Sequence, residues 1–131
     1  MGGRPIELIL AKQLASSLAV PILLYDGNGT VAFFNEHAAS LLGAQLDQQG
    51  ALSTQGVRDT FQITTIEGFE PKPDERIVEL AMREGRASHQ SCRVRALDGV
   101  VREVDATAVP LIGQSGHNVG TLVFFWERAS S

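Results

Sequence analysis

Apolar residues recur at helical spacing from Pro5 to about Ser17, and Pro5 suits a first helical turn. Ile6, Ile9, Leu10 and Leu14 join Leu8, Ala11, Ala15 and Leu18 in an arc wider than one packing face requires. The excess predicts a helix that covers the rest of the chain with one side and can offer the other to a second subunit. Val20 to Tyr25 is short and apolar almost throughout, as in a central strand buried on both faces. Asp26-Gly27-Asn28-Gly29 then supplies tight-turn chemistry, and Thr30 to Phe34 is a second short strand. Asn35 can cap the amphipathic helix that follows, Glu36 suits its N-terminal dipole, and Gly43 can close it in the left-handed conformation. From Ala44 to Pro73 the pattern weakens into a loop region with room for one or two short helical turns.

Order returns at Pro73-Asp74, where Ile77, Val78, Leu80, Ala81 and Met82 predict a helix ending at Gly85. Ser88 to Ala96 alternates, with Gln90, Cys92 and Val94 on one face and Ser91, Arg93 and Arg95 on the other. Asp98-Gly99 is a hairpin signal leading into Val101 to Val109, where Val104, Ala106 and Ala108 oppose Glu103, Asp105 and Thr107. A looser turn, Gly113 to Asn118, connects to Val119 to Glu127. Leu122 to Trp126 is apolar in both parities, so each face needs a cover. Phe124 and Trp126 therefore join Ile6, Ile9, Leu10 and Leu14 as candidates for a dimer interface.

Asp26, Gly29, Val31, Asn35, Ala38, Leu41, Leu42 and Gly43 resemble the opening motif of a PAS domain. Leu97-Asp98-Gly99, the run Thr107 to Pro110 and the last strand led by Gly120 resemble its closing half. The resemblance spans about residues 18 to 127. It implies an α+β fold, a five-stranded antiparallel sheet with helices on one face, preceded here by an N-terminal helix. The expected organisation is an amphipathic helix over residues 1–17 and a PAS domain over 18–128.

A chain of 131 residues suits one such domain. A net charge of −4 with dispersed arginines argues against a nucleic-acid surface. The single cysteine, Cys92, rules out an intrachain disulfide and fits a reducing, cytoplasmic setting. No apolar run approaches the roughly 20 residues of a membrane span, and Glu7 and Lys12 interrupt the N-terminal apolar region. No membrane association is expected.

Candidate chemistry is sparse. No G-x-S-x-G, H-E-x-x-H or phosphate-binding loop occurs, and His37, His89 and His117 fall on separate elements, so neither an enzyme nor a metal centre is expected. Among cofactors that PAS relatives hold, covalent flavin would require a motif resembling N-C-R-F-L-Q on a helix, whereas Cys92 lies on a strand. Heme would favour a histidine on the helix 74–84, which has none. Non-covalent flavin stays open, and the sequence names no cofactor.

The resemblance implies a sensory or regulatory domain with an internal pocket between helices and sheet. Strand parity nominates Val31, Phe33, Cys92, Val94, Val104 and Ala106, with Ile22 or Leu24, as its lining. Asn35 is the polar candidate, beside its duty as a cap. An apolar lining points to a small hydrophobic ligand such as a fatty acid. Signalling is expected through a homodimer or a downstream partner protein. The alternative is a ligand-free module for homodimerisation. Cys92 itself reads as a small buried residue, or more sharply as a pocket thiol open to oxidants.

Overall fold

A computed structural model describes residues 6–43 and 52–128. Its elements are α1 (Ile6–Ser17), β1 (Ile22–Asp26), β2 (Val31–Phe34), α2 (Glu36–Leu42), α3 (Thr54–Thr60) and β3 (Thr64–Thr65). A 3-10 turn (Pro73–Glu75) then leads to α4 (Ile77–Glu84), β4 (Ser88–Arg95), β5 (Val101–Ile112) and β6 (Asn118–Glu127). The strands form one antiparallel sheet in the order β2-β1-β6-β5-β4-β3. Five strands are those the sequence predicts. The sixth, β3, has two residues and pairs Thr64 with Arg93 and Thr65 with Cys92. It is too short to show a period of two, so no pattern announces it.

Local chemistry explains the first half. Asp26 Oδ1 accepts bonds from the amides of Asn28 (2.9 Å) and Thr30 (3.1 Å), while Gly29 takes φ 78°. This closes the β1–β2 hairpin. Asn35 caps α2 by accepting from the Ala38 amide at 2.9 Å, and Gly43 ends the helix at φ 66°. The weakly patterned stretch contains α3, which Ser53 Oγ caps by accepting from the Gly56 amide at 3.0 Å. Residues 44–51 of that stretch and 1–5 of the predicted N-terminal helix lie outside the described residues. The helix read as starting near Asp74 is broken at Arg76 (φ −93°, ψ 92°) into the 3-10 turn and α4.

The sheet separates two apolar cores. Leu23, Tyr25, Val123, Phe125, Val104 and Val94 face one side, beneath α2, α3 and α4. Ile22, Leu24 and Leu122 face the other and are covered by Leu8, Ala11 and Ala15 of α1. The strands β1 and β6 are thus apolar in both parities because both of their faces are buried. Close approach of α1 depends on Gly120, where an added Cβ would sit 2.6 Å from Leu8 Cδ2 and 2.6 Å from the Tyr25 carbonyl oxygen.

Towards β4 and β5 the α1 side of the sheet is polar. Arg93 pairs with Glu103 at 3.4 Å, Ser91 donates to Asp105, and Arg128 approaches Glu103 and Asp105 at 3.9 and 3.7 Å. Such exposed pairs are each worth less than about 1 kcal/mol. They explain how a two-sided sheet stays wetted where α1 does not reach.

Candidate functional site

The helical cover leaves a cavity of about 110 Å³ against the inner sheet face. Its floor is formed by Leu23, Tyr25, Val123 and Phe125 of β1 and β6 together with Val104 and Ala106 of β5. Gln90, Cys92 and Val94 of β4 close one flank. The roof comes from Thr54, Val57 and Arg58 of α3 and its C-cap residue Phe61, which follow helical spacing, and from Ile77, Val78 and Glu79 of α4. The wall is almost wholly apolar. Polar groups enter mainly from the roof.

Arg58 and Glu79 join the two roof helices. Arg58 Nη1 lies 2.9 and 3.0 Å from the two Glu79 carboxylate oxygens, and Nη2 donates to Gln55 Oε1 at 2.7 Å. The Arg58 side chain is 12% exposed and that of Glu79 35%, so the pair is shielded on the arginine side. Arg58 Nε is buried and has no hydrogen-bond partner among the described residues. Below the pair, burial raises the Tyr25 phenol well above its ordinary range; Arg58 opposes that shift and Glu79 adds to it. Tyr25 therefore stays protonated and can donate as well as accept.

Burial, with Asp105 adding to it, pushes the Cys92 thiol up to about 11. The thiolate is the reactive form, so this thiol is a poor nucleophile near neutral pH.

The nominated pocket residues divide by strand face. Cys92, Val94, Val104 and Ala106 line the cavity. Val31 belongs to the same inner core without lining it. Ile22, Leu24 and Phe33 do not belong to this face; they pack beneath α1. For Phe33 the cause is a bulge: Leu24 pairs with Phe33 and Tyr25 with Val31, which leaves Ala32 as an extra residue and reverses the parity between Val31 and Phe33, whereas Ile22 and Leu24 lie on a strand that is apolar on both faces.

Asn35 also lies away from the cavity. Its Oδ1 accepts from the Ile22 amide (3.1 Å) and the Ala38 amide, and its Nδ2 donates to the carbonyls of Ala15 (3.0 Å) and Val20 (2.7 Å). All four positions of the amide are filled, so none remains for a ligand.

Of the nominated interface residues, Ile6, Ile9, Leu10 and Leu14 are 46 to 60% exposed on the outer side of α1, and Trp126 is 46% exposed. Phe124 differs: it packs in the core under α1. Arg93, Arg95, Glu103 and Asp105 stay out of the cavity, as alternation predicts. Sequence reasoning missed Tyr25, Arg58 and Glu79. The available signal was the spacing Thr54, Val57, Arg58, Phe61 behind a serine cap, which reads as one helical face once the stretch is taken as a helix.

The family model for the PAS fold matches residues 10–127. The chain belongs to the PAS family. No curated protein matches this PAS domain at a significant level. Among solved structures, it is similar to the PAS domain of a protein from Colwellia psychrerythraea, at 18% identity and TM-score 0.64 over 92% of this chain and 96% of that one. A light-oxygen-voltage protein of Rhodobacter sphaeroides aligns at TM-score 0.72 and 15% identity, over 96% of this chain and 69% of that one. The PAS domain of nitrogen regulation protein NR(II) from Vibrio parahaemolyticus aligns at TM-score 0.63 and 14% identity, over 91% and 98% of the respective chains. These likenesses establish a shared fold. No helix among the described residues of this PAS domain is long and apolar enough to cross a membrane.

Proposed function

We propose that this PAS domain is a non-catalytic sensory module whose cavity admits a small, mostly apolar molecule and whose signal leaves through α1. The observation carrying this reading is the apolar cavity roofed by two short helices that one ion pair ties together. Occupancy biases the packing of that roof to the extent that the ligand binds one packing better than the other. At about 110 Å³ the cavity falls below the roughly 300 Å³ usual for ligand sites. A fatty-acid chain does not fit it as it stands, and a smaller molecule does.

The outer side of α1 supports the output step. Ile6, Ile9, Leu10 and Leu14 form an exposed apolar stripe suited to a second copy or to a downstream signalling protein, on a helix whose other side is packed on the sheet of the domain over 18–128. A lone free cysteine, Cys92, fits a reducing, cytoplasmic setting.

The same stripe, with the small cavity, favours a second reading: a homodimerisation module with no ligand. Native mass spectrometry and a thermal-shift screen with small apolar molecules separate the two. A bound adduct or a ligand-induced rise in melting temperature supports the sensor; neither appearing in a chain that remains dimeric supports the module. Replacing exposed Leu10 and Leu14 by Glu leaves the cores intact and should give monomer by light scattering. Dimer persisting in that variant counts against α1 as the interface.

A further inference from the structure

We propose that the cavity binds a short-chain carboxylate, with its hydrocarbon body between sheet and roof and its charge on the Arg76 guanidinium at the rim; this rests on the sensory reading above. Arg76 lines the cavity at the break between the 3-10 turn and α4 and is half-buried, so it stands where the chamber meets solvent. Its Nε donates to the Pro71 carbonyl oxygen at 3.1 Å, and Pro71 is itself a buried residue of the cavity wall. That bond holds the guanidinium against the chamber. Both Nη groups are left without a hydrogen-bond partner among the described residues, and neither is sealed from water as Arg58 Nε is.

The charge on Arg76 is also unclaimed. No carboxylate of a described side chain lies within 4.0 Å of it. Of the two acids in the lining, Glu79 is held through both oxygens on Arg58 Nη1, at 2.9 and 3.0 Å. Glu75 accepts from the Lys72 amide at 2.9 Å. Because Glu75 is half-exposed, water screens its repulsion of an anion, whereas Arg76 can meet that anion directly, end-on through Nη1 and Nη2. Charge-assisted, bidentate hydrogen bonds outweigh a screened charge farther off. A neutral ligand gains less from the same donors, and a cation would meet Arg76 with like charge. Volume sets the size: a cavity of about 150 Å³ takes a benzene ring, so about 110 Å³ holds roughly six non-hydrogen atoms at most. With the carboxylate at the rim, acids of roughly three to five carbons meet that limit.

The test compares butyrate with butyramide, which has the same number of non-hydrogen atoms and no charge, in the unaltered chain and in an R76M variant at neutral pH. Methyl spectra follow Leu23, Val94 and Val123 on the cavity wall, and proton–nitrogen spectra follow the Arg76 Nε–H. Butyrate should shift both together and bind about ten-fold or more tightly than butyramide. In R76M that preference should vanish while butyramide keeps its affinity, which shows that the cavity is intact. Should the variant not fold, or bind neither probe, the preference and the joint shift in the unaltered chain decide alone. Equal affinities, a preference that survives R76M, or butyrate shifting Arg76 without the cavity methyls would overturn the carboxylate assignment. Butyramide bound in the cavity would then leave the sensory reading standing. Binding of neither probe to the unaltered chain would overturn both.

Discussion

Gly120 is the point at which the sheet admits α1, and adding one methyl group there tests that docking. A Cβ at this position would lie 2.6 Å from Leu8 Cδ2 and 2.6 Å from the Tyr25 carbonyl oxygen, roughly 1 Å inside ordinary contact. Gly120 lies in β6 opposite Asp26 and does not have a positive φ, so alanine meets a steric rather than a conformational obstacle. Two neighbours must yield, one a leucine buried in the core beneath α1 and the other a backbone group in the central strand pair. Overpacking of this kind costs typically 1–3 kcal/mol, and the backbone partner places Gly120→Ala near the upper end, at about 2–3 kcal/mol.

The cycle with Leu8→Ala isolates the helix contribution. Leu8→Ala alone should cost about 2–4 kcal/mol as a cavity. In the double variant the methyl of residue 120 occupies space that Leu8 vacates, so the combined loss should fall short of the sum by about 1 kcal/mol or more. Urea unfolding gives all four free energies, and an unchanged urea slope shows that the comparison is of like states. A Gly120→Ala loss below about 0.5 kcal/mol, or strict additivity with Leu8→Ala, would refute the packing of α1 on β6.

Asn35→Ala should destabilise the chain by about 3–5 kcal/mol in the same assay, because it strands the amide of Ile22 and the carbonyls of Ala15 and Val20 as well as removing the α2 cap. Asn35→Asp should be comparably damaging despite keeping the cap, since a carboxylate would face those two carbonyls; a near-neutral Asp variant would contradict the bonding described. Cys92 should react with iodoacetamide at pH 8 at least about ten-fold more slowly in the folded than in the urea-unfolded chain. With a folded value of about 11 against an ordinary 9.0, the unfolded chain loses the Cys92 proton first as pH rises. The contribution of Cys92 to stability is thus complete below pH 9 and is lost through about pH 11, so a Cys92→Ala variant should lose less stability over that window than the unaltered chain. Equal alkaline losses would count against the burial of this thiol.

Much of the fold is legible because it is written in local chemistry. The Asp26 turn, the Asn35 cap, the Gly43 stop and the Asp98-Gly99 hairpin each depend on residues within a few positions of one another. The long alternating strands β4 and β5 carry their register in their own pattern, which is why alternation alone assigns Cys92, Val94, Val104 and Ala106 to one face. Parity failed where alternation is interrupted or absent. The Ala32 bulge turns Phe33 away from the face of Val31, and β1, apolar on both sides, gives no sign of which residues meet the cavity.

The sequence by itself determined the order of the five long strands and of α1, α2 and α4, the Asn35 cap, the hairpin turns, and the family. Only the tertiary structure decided that Leu23 and Tyr25, rather than Ile22 and Leu24, face the cavity, and that Arg58 meets Glu79 across 21 positions of chain. The physical reason is that caps, turns and strand alternation are short-range effects repeated along the chain. A cavity and an ion pair between helices depend instead on which surfaces the packed sheet brings together, and no local period records that distance.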